Sequence, residues 1–186
     1  MPLALGQSLW GIEVPRETTN LCANPSLEFG TQGWAPSAGG AVIGTSSDFQ
    51  QFGAWSLKVT PLSASIGASF GSFTSSTLPP LAMGNGSTYV ASAYVRGSVG
   101  LTYAIEIWPT TGGAALAGGS VLATGNWDQV QCTYTETSTN NRAVLITARQ
   151  TGDGTVFYID GLQVEQGNKT TYIDGDQPGG TWTGAQ

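Results

Sequence analysis

TVFYIDGLQVEQG, residues 155–167, is the stretch around which the chain is organised. Between positions 156 and 162 it is β-branched or aliphatic or aromatic apart from one Asp-Gly, Asp160-Gly161. Side chains of an extended segment alternate between two faces. Strict alternation puts Val156, Tyr158, Asp160, Leu162 and Val164 on one face and Phe157, Ile159, Gly161, Gln163 and Glu165 on the other. Large apolar groups on both faces predict a strand covered on both sides, as in the middle of a sandwich. A carboxylate inside such a strand is costly unless it is paired or coordinates a metal. Asp160 is therefore the most informative acid in the sequence.

Working outward, period-two runs at 41–45, 55–60, 66–74, 88–96, 101–108, 121–123, 128–135 and 143–149 predict further strands. A first strand is expected at 21–27, broken by Asn24-Pro25 because proline removes a ladder donor. Glycines at 97–100 and 152–154 predict hairpins, and 78–86 and 109–119 read as loops. No segment carries a helical period. About eight to ten strands at this spacing predict a sandwich. Trp55 is in phase with Leu57 and Val59 and is expected in the core. Leu101, Tyr103, Ile105 and Ile107 share one face of their strand, with Thr102, Ala104, Glu106 and Trp108 opposite. Tyr94 falls on the polar side of its strand with Ser92 and Arg96.

Composition narrows the function. The chain has 186 residues, enough for one sandwich with appended arms, and 40% of them are hydrophobic, too many for a disordered chain. The net charge is −6 and the six basic residues are scattered, so no phosphate-tracking stripe exists for nucleic acid and none for an anionic membrane. No apolar run reaches the length of a membrane span. Residues 1–10 lack the basic start and long apolar centre of a secretory leader. There is no histidine, which removes Ser-His and Cys-His nucleophiles, and no phosphate-binding glycine loop. Glycoside hydrolysis needs only two carboxylates, but nothing singles out a pair among the twelve acids, so no enzyme is expected. Cys22 and Cys132 read as two small buried hydrophobes, with a disulfide as the alternative.

Two other stretches add a likeness. Residues 20–30 read NLCANPSLEFG, followed by Gly33-Trp34, and residues 170–184 read TTYIDGDQPGGTWTG. The opening N-L-x-x-N-P-S-x-E-x-G with a later G-W, closed by Y-I-D-G-x-Q-x-E-x-G, resembles the jelly-roll carbohydrate-binding-module superfamily, the family 4/9/22-like group. The Y-I-D-G-D-x-P-G-x-x-W-x-G tail is similar to that of such domains in phage tail and virion-surface proteins. The likeness covers residues 20–184 and implies an all-β jelly-roll sandwich over 20–167, with an N-terminal arm at 1–19 and an extended tail at 168–186.

The resemblance implies a structural calcium where the first strand meets the last, with Glu28 and Asp160 as its acids; the alternative is that Asp160 caps a turn or accepts from nearby backbone amides. It also implies that Trp34 and Trp127 are packing residues. Trp108, Glu106, Tyr94 and Arg96 are the candidates for a glycan platform, since sugar rings stack on aromatic faces and their edges hydrogen-bond; a loop or subunit contact is the alternative. Leu5, Leu9, Trp10 and Ile12 in the arm, with Tyr172 and Trp182 in the tail, are apolar residues outside the strand pattern and are expected to contact partners. Together these imply a virion structural protein on the particle exterior: a capsid decoration protein, or else a tail-surface subunit, that contacts other virion proteins and forms a closed homo-oligomer such as a trimer. A carbohydrate-binding module of a secreted polysaccharide-degrading enzyme is the competing class. The sequence ends two residues after W-T-G, where the tail-protein relatives usually continue, and so favours a small accessory protein.

Overall fold

The structure, a computed structural model, describes residues 18–37, 40–71, 81–149, 155–172 and 180–182. Among the described residues there are thirteen strands and no helix. One sheet has five strands, β10 (Asp128–Thr135), β7 (Thr88–Arg96), β12 (Phe157–Gln166), β4 (Ser56–Pro61) and β3 (Ala41–Ser46), in that spatial order. The other holds β2 (Trp34–Pro36), β5 (Gly67–Phe70), β11 (Asn140–Ala148), β8 (Thr102–Pro109) and β9 (Ala117–Leu122), with the short β6 (Leu81–Met83) also paired to β11. All these pairings are antiparallel. A separate parallel ribbon joins β1 (Thr18–Asn20) to β13 (Gly180–Trp182). The fold is the expected all-β jelly-roll sandwich.

The core follows from the alternation. Tyr103, Ile105 and Ile107 of β8 pair in register with Ala148, Ile146 and Val144 of β11, and all six are buried. Facing them from the other sheet are Phe157, Ile159, Leu162 and Val164, also buried. The two sheets touch where the Tyr103 and Phe157 rings lie 5.0 Å apart. Each such large side chain contributes about 1.5–3 kcal/mol on burial. Trp34 is buried edge-on to Phe70, with ring centroids 5.5 Å apart, as expected of a packing residue. Cys22 and Cys132 are free and buried, and burial pushes the Cys132 thiol up to about 12, so it stays protonated.

Several expectations are corrected. Strict alternation along residues 155–167 fails because the pairing of β12 with β7 slips between Asp160 and Gln163. Gly161 takes a φ of +57° at this β-bulge. Beyond it the faces exchange: Phe157, Ile159, Leu162 and Val164 all point into the core. Tyr158, Asp160, Gln163 and Glu165 are left together on the outer side. Residues 97–100 form no hairpin, since β7 and β8 lie in opposite sheets. A Cβ on Gly97 would lie 2.0 Å from the Tyr103 hydroxyl, so the chain turns tightly over that ring as it changes sheet. The strands either side of 152–154 likewise belong to different sheets.

Residues 21–27 are turn rather than strand, with Asn24 and Leu27 at positive φ. Trp55 precedes β4 and is 40% exposed, while Leu57 and Val59 are core as expected. The supposed loops at 78–86 and 109–119 contain β6 and the start of β9. Glycine is what brings β9 in: a Cβ on Gly119 would lie 1.9 Å from the Gln131 carbonyl oxygen, so β9 rests directly on β10 and shuts one side of the sandwich.

Candidate functional site

The outer side of β12 carries Asp160, Gln163 and Glu165, and each fastens a loop. Asp160 is fully buried. Its Oδ2 accepts from the backbone N–H of Gln51 (2.8 Å) and Phe52 (3.0 Å), and its Oδ1 from that of Gly161 (2.7 Å). Glu28 accepts from the Ala54 N–H at 2.7 Å, Ser56 donates to the Phe49 carbonyl at 2.6 Å, and the Trp127 indole donates to the Gln50 carbonyl at 3.1 Å. The loop from β3 to β4 is thus pinned across the face of the five-stranded sheet from several directions. Farther along β12, Gln163 donates to Thr170 Oγ1 (3.1 Å) and the Thr171 carbonyl (3.3 Å). Glu165 accepts from the Thr170 N–H (2.9 Å) and hydroxyl (2.6 Å).

Glu28 and Asp160 therefore converge, as the calcium expectation requires, but on a stretch of backbone amides. Both Asp160 oxygens hold N–H donors, the arrangement named above as the alternative to a metal. Among the described residues no group of three or more acid, cysteine or histidine side chains comes together. Burial pushes the Asp160 carboxyl up to about 6; the three N–H donors oppose this and the Glu28 charge adds to it.

The four candidate platform residues are not brought to one surface. Glu106 and Trp108 lie on the outer side of the six-stranded sheet, whereas Tyr94 and Arg96 belong to β7 and lie on the outer side of the five-stranded sheet. On the first face the Trp108 indole donates to Glu106 Oε2 at 3.2 Å, while Arg149 forms an ion pair with Glu106 Oε1. Arg149 sits at the level of Thr102, which takes its N–H, so its side chain reaches back past the Ala104–Thr147 pair to meet Glu106. Thr147 is 1% exposed and its hydroxyl has no hydrogen-bond partner. Glu106, Leu145 and Thr147 are all buried although they point away from the core.

On the second face Arg96 lies over the Phe49 ring, 3.9 Å from its centroid. Tyr94 meets the edge of Phe52 at 5.3 Å, and Phe52 stacks on Tyr172 at 3.8 Å and 18°. An open groove of about 620 Å³ runs between Gln51 and Phe52 on one side and residues 169–172 on the other, floored by Tyr94. Of the candidate partner contacts, Leu5, Leu9, Trp10 and Ile12 lie outside the described residues. Tyr172 is held inside the domain by Phe52, and Trp182 takes part in β13 through its backbone pairing with Asn20.

Sequence reasoning missed Asn20, Phe52, Thr147 and Arg149. Asn20 is fully buried and holds the β12 bulge, donating to the Leu162 carbonyl (3.0 Å) and accepting from the Val164 N–H (2.9 Å). Parity was the available signal for Arg149. Arg142 and Arg149 are seven positions apart on β11 and its exit, so they fall on opposite faces. Each finds a carboxylate there, Glu136 and Glu106 respectively.

No family model matches the sequence, and no curated protein matches it. Solved structures do share its fold. The CBM22-1–GH10 modules of Clostridium thermocellum endo-1,4-β-D-xylanase 10B, complexed with xylohexaose, match 80% of this chain at 18% identity and a TM-score of 0.58. This chain spans 29% of that two-module protein. TmCBM61 in complex with β-1,4-galactotriose matches 80% of this chain and 99% of its own at 15% identity, with a TM-score of 0.56. A cyclase from Fischerella sp. TAU matches 83% of this chain and 98% of its own at 12% identity, with a TM-score of 0.58. The chain has the jelly-roll fold of carbohydrate-binding modules.

Proposed function

We propose that the chain is a non-catalytic glycan-binding jelly roll carried on the exterior of a phage particle, as a capsid decoration protein fastened through its two ends. The observation that carries the sugar-binding part is the Trp108–Glu106–Arg149 cluster. An indole held by its own N–H and flanked by an ion pair offers a ring face for the apolar side of a sugar and charged groups for its hydroxyls. The xylohexaose complex of the two-module xylanase and the galactotriose complex of TmCBM61 support a neutral β-linked oligosaccharide as the ligand class.

The non-catalytic reading draws on seven of the twelve acids, those among the described residues. Each of the carboxylates of Glu28, Asp48, Glu106, Asp128, Glu136, Asp160 and Glu165 already accepts a hydrogen bond. Two-carboxylate hydrolysis needs a pair poised over a substrate, and these acids instead hold loops and cations. The virion reading rests on the tail resemblance and the apolar arm, and the β1–β13 ribbon supports it by pairing the first and last described strands. A module attached to a polysaccharide-degrading enzyme is the second reading, favoured by the xylanase match, in which such a domain adjoins a GH10 module.

The test has two arms. Wild-type protein and Trp108→Ala are titrated with xylohexaose and galactotriose, and gradient-purified particles are analysed by mass spectrometry for the chain. Binding that Trp108→Ala abolishes without unfolding, together with the chain on particles, is the expected result. Retained binding in the variant overturns the site. Absence from particles with binding intact leaves the enzyme-module reading.

A further inference from the structure

We propose that the groove on the five-stranded sheet is a second, separate ligand site, and that it takes a carboxylated sugar such as a hexuronate. Lys169 identifies the ligand class. Of the five basic residues described, Lys58, Arg142 and Arg149 are in ion pairs with Asp48, Glu136 and Glu106, and Arg96 lies on the Phe49 ring. Lys169 alone has no such partner among the described residues, and it lines the groove. In a chain of net charge −6, a lysine that lines a groove without an ion-pair partner is a receptor for an anion.

The rest of the groove suits a sugar rather than a bare ion. Tyr94 and Tyr172 are half-buried and fix its floor and one wall through Phe52, which touches both rings. Gln51 lines the groove beside them. Both walls are rigid, because they are tied to one strand: Asp160 holds Gln51 and Phe52, and Gln163 and Glu165 hold Thr170. Gly161 is part of the same construction, since a Cβ there would lie 2.6 Å from the Phe52 ring and 3.2 Å from that of Tyr172. A preformed groove of this kind spends little binding energy on ordering itself.

This site shares no residue with the Trp108 face, so each can fail without the other. The experiment is isothermal titration of the full chain with trigalacturonate and with neutral galactotriose of the same linkage. Wild type is expected to prefer the acid, with affinity falling as ionic strength rises. Lys169→Gln should weaken acid binding by about tenfold or more, the worth of a charged hydrogen bond. Lys169→Arg should retain it, and Trp108→Ala should leave it unchanged. Equal binding of acid and neutral sugar, no binding of the acid by wild type, or wild-type affinity in Lys169→Gln overturns the proposal. Loss in Trp108→Ala but not in Lys169→Gln also overturns it, and moves the acid to the other face.

Discussion

At Asp160 three backbone N–H groups favour the anion, while burial and the Glu28 charge favour the acid and win. A folded-state value of about 6 against an ordinary 3.8 means that the native state holds this proton more tightly than the unfolded chain. Stability from this group is thus complete below about pH 4 and is lost as pH rises through about 6, a change on the order of 3 kcal/mol. Glu136 acts in the other direction and in a lower window. Its burial raises it, but Arg142 and the N–H groups of Ser138 and Thr137 more than offset this and hold it below 4.5. Its stabilisation is present above the unfolded value and lost at more acid pH. Chemical denaturation of wild type at pH 6.5 and 4.5 should therefore show a gain on acidification that Asp160→Asn lacks; equal slopes would mean that the carboxyl is ionised throughout. If the three N–H donors alone hold Asp160, a chelator should leave the melting temperature unchanged; a fall would place a cation between Asp160 and Glu28. The acid was legible in the sequence, together with the alternative that it accepts from backbone amides. Its donors were not, because Gln51 and Phe52 lie more than a hundred positions away.

Among the elements, β12 shows where pattern reading stops. Its two covered faces were legible, since Phe157 and Ile159 alternate with Tyr158. The exchange of faces was not, because a period-two reading has no place for an extra residue. The Asp-Gly dipeptide was the clue: glycine accepts the positive φ that a bulge of this type needs. Gly161→Ala is expected to cost about 1–2 kcal/mol from backbone conformation alone, and more from overlap with the Phe52 ring. The separating measurement is near-ultraviolet circular dichroism, which should lose the Phe52–Tyr172 signature while far-ultraviolet β structure persists. Unchanged aromatic signal would mean that the two rings are not seated on the bulge. The mistaken hairpin at 97–100 has a related cause. A four-residue glycine link closes a hairpin or turns a corner equally well, and only the Tyr103 ring beneath Gly97 decides between them.

For the whole molecule, the jelly roll was legible from strand number and spacing, whereas the binding surfaces were not. Tyr94 and Trp108 occupy comparable phases in neighbouring strands, yet those strands belong to opposite sheets, and local sequence does not encode that choice. The apolar arm remains the basis for expecting assembly. Removing residues 1–17 should leave a folded β domain that sediments as a monomer and no longer joins particles, since three or four buried anchors at about 1.5–3 kcal/mol each would be gone. Sedimentation velocity of the truncated protein checks this, and an unchanged oligomer would assign the contacts to the sandwich faces.

The parallel sense of the β1–β13 ribbon has a mechanical consequence. Residues 1–17 join β1 at one end of the ribbon, and residues 183–186 continue from β13 at the other. Tension applied between those two segments therefore loads the register pairs Thr18↔Gly180, Thr19↔Thr181 and Asn20↔Trp182 in shear. Their bonds share the load, where a hairpin pulled from its open end would peel one bond at a time. The load then passes through Asn20, whose amide is bonded to the backbone on both sides of Gln163.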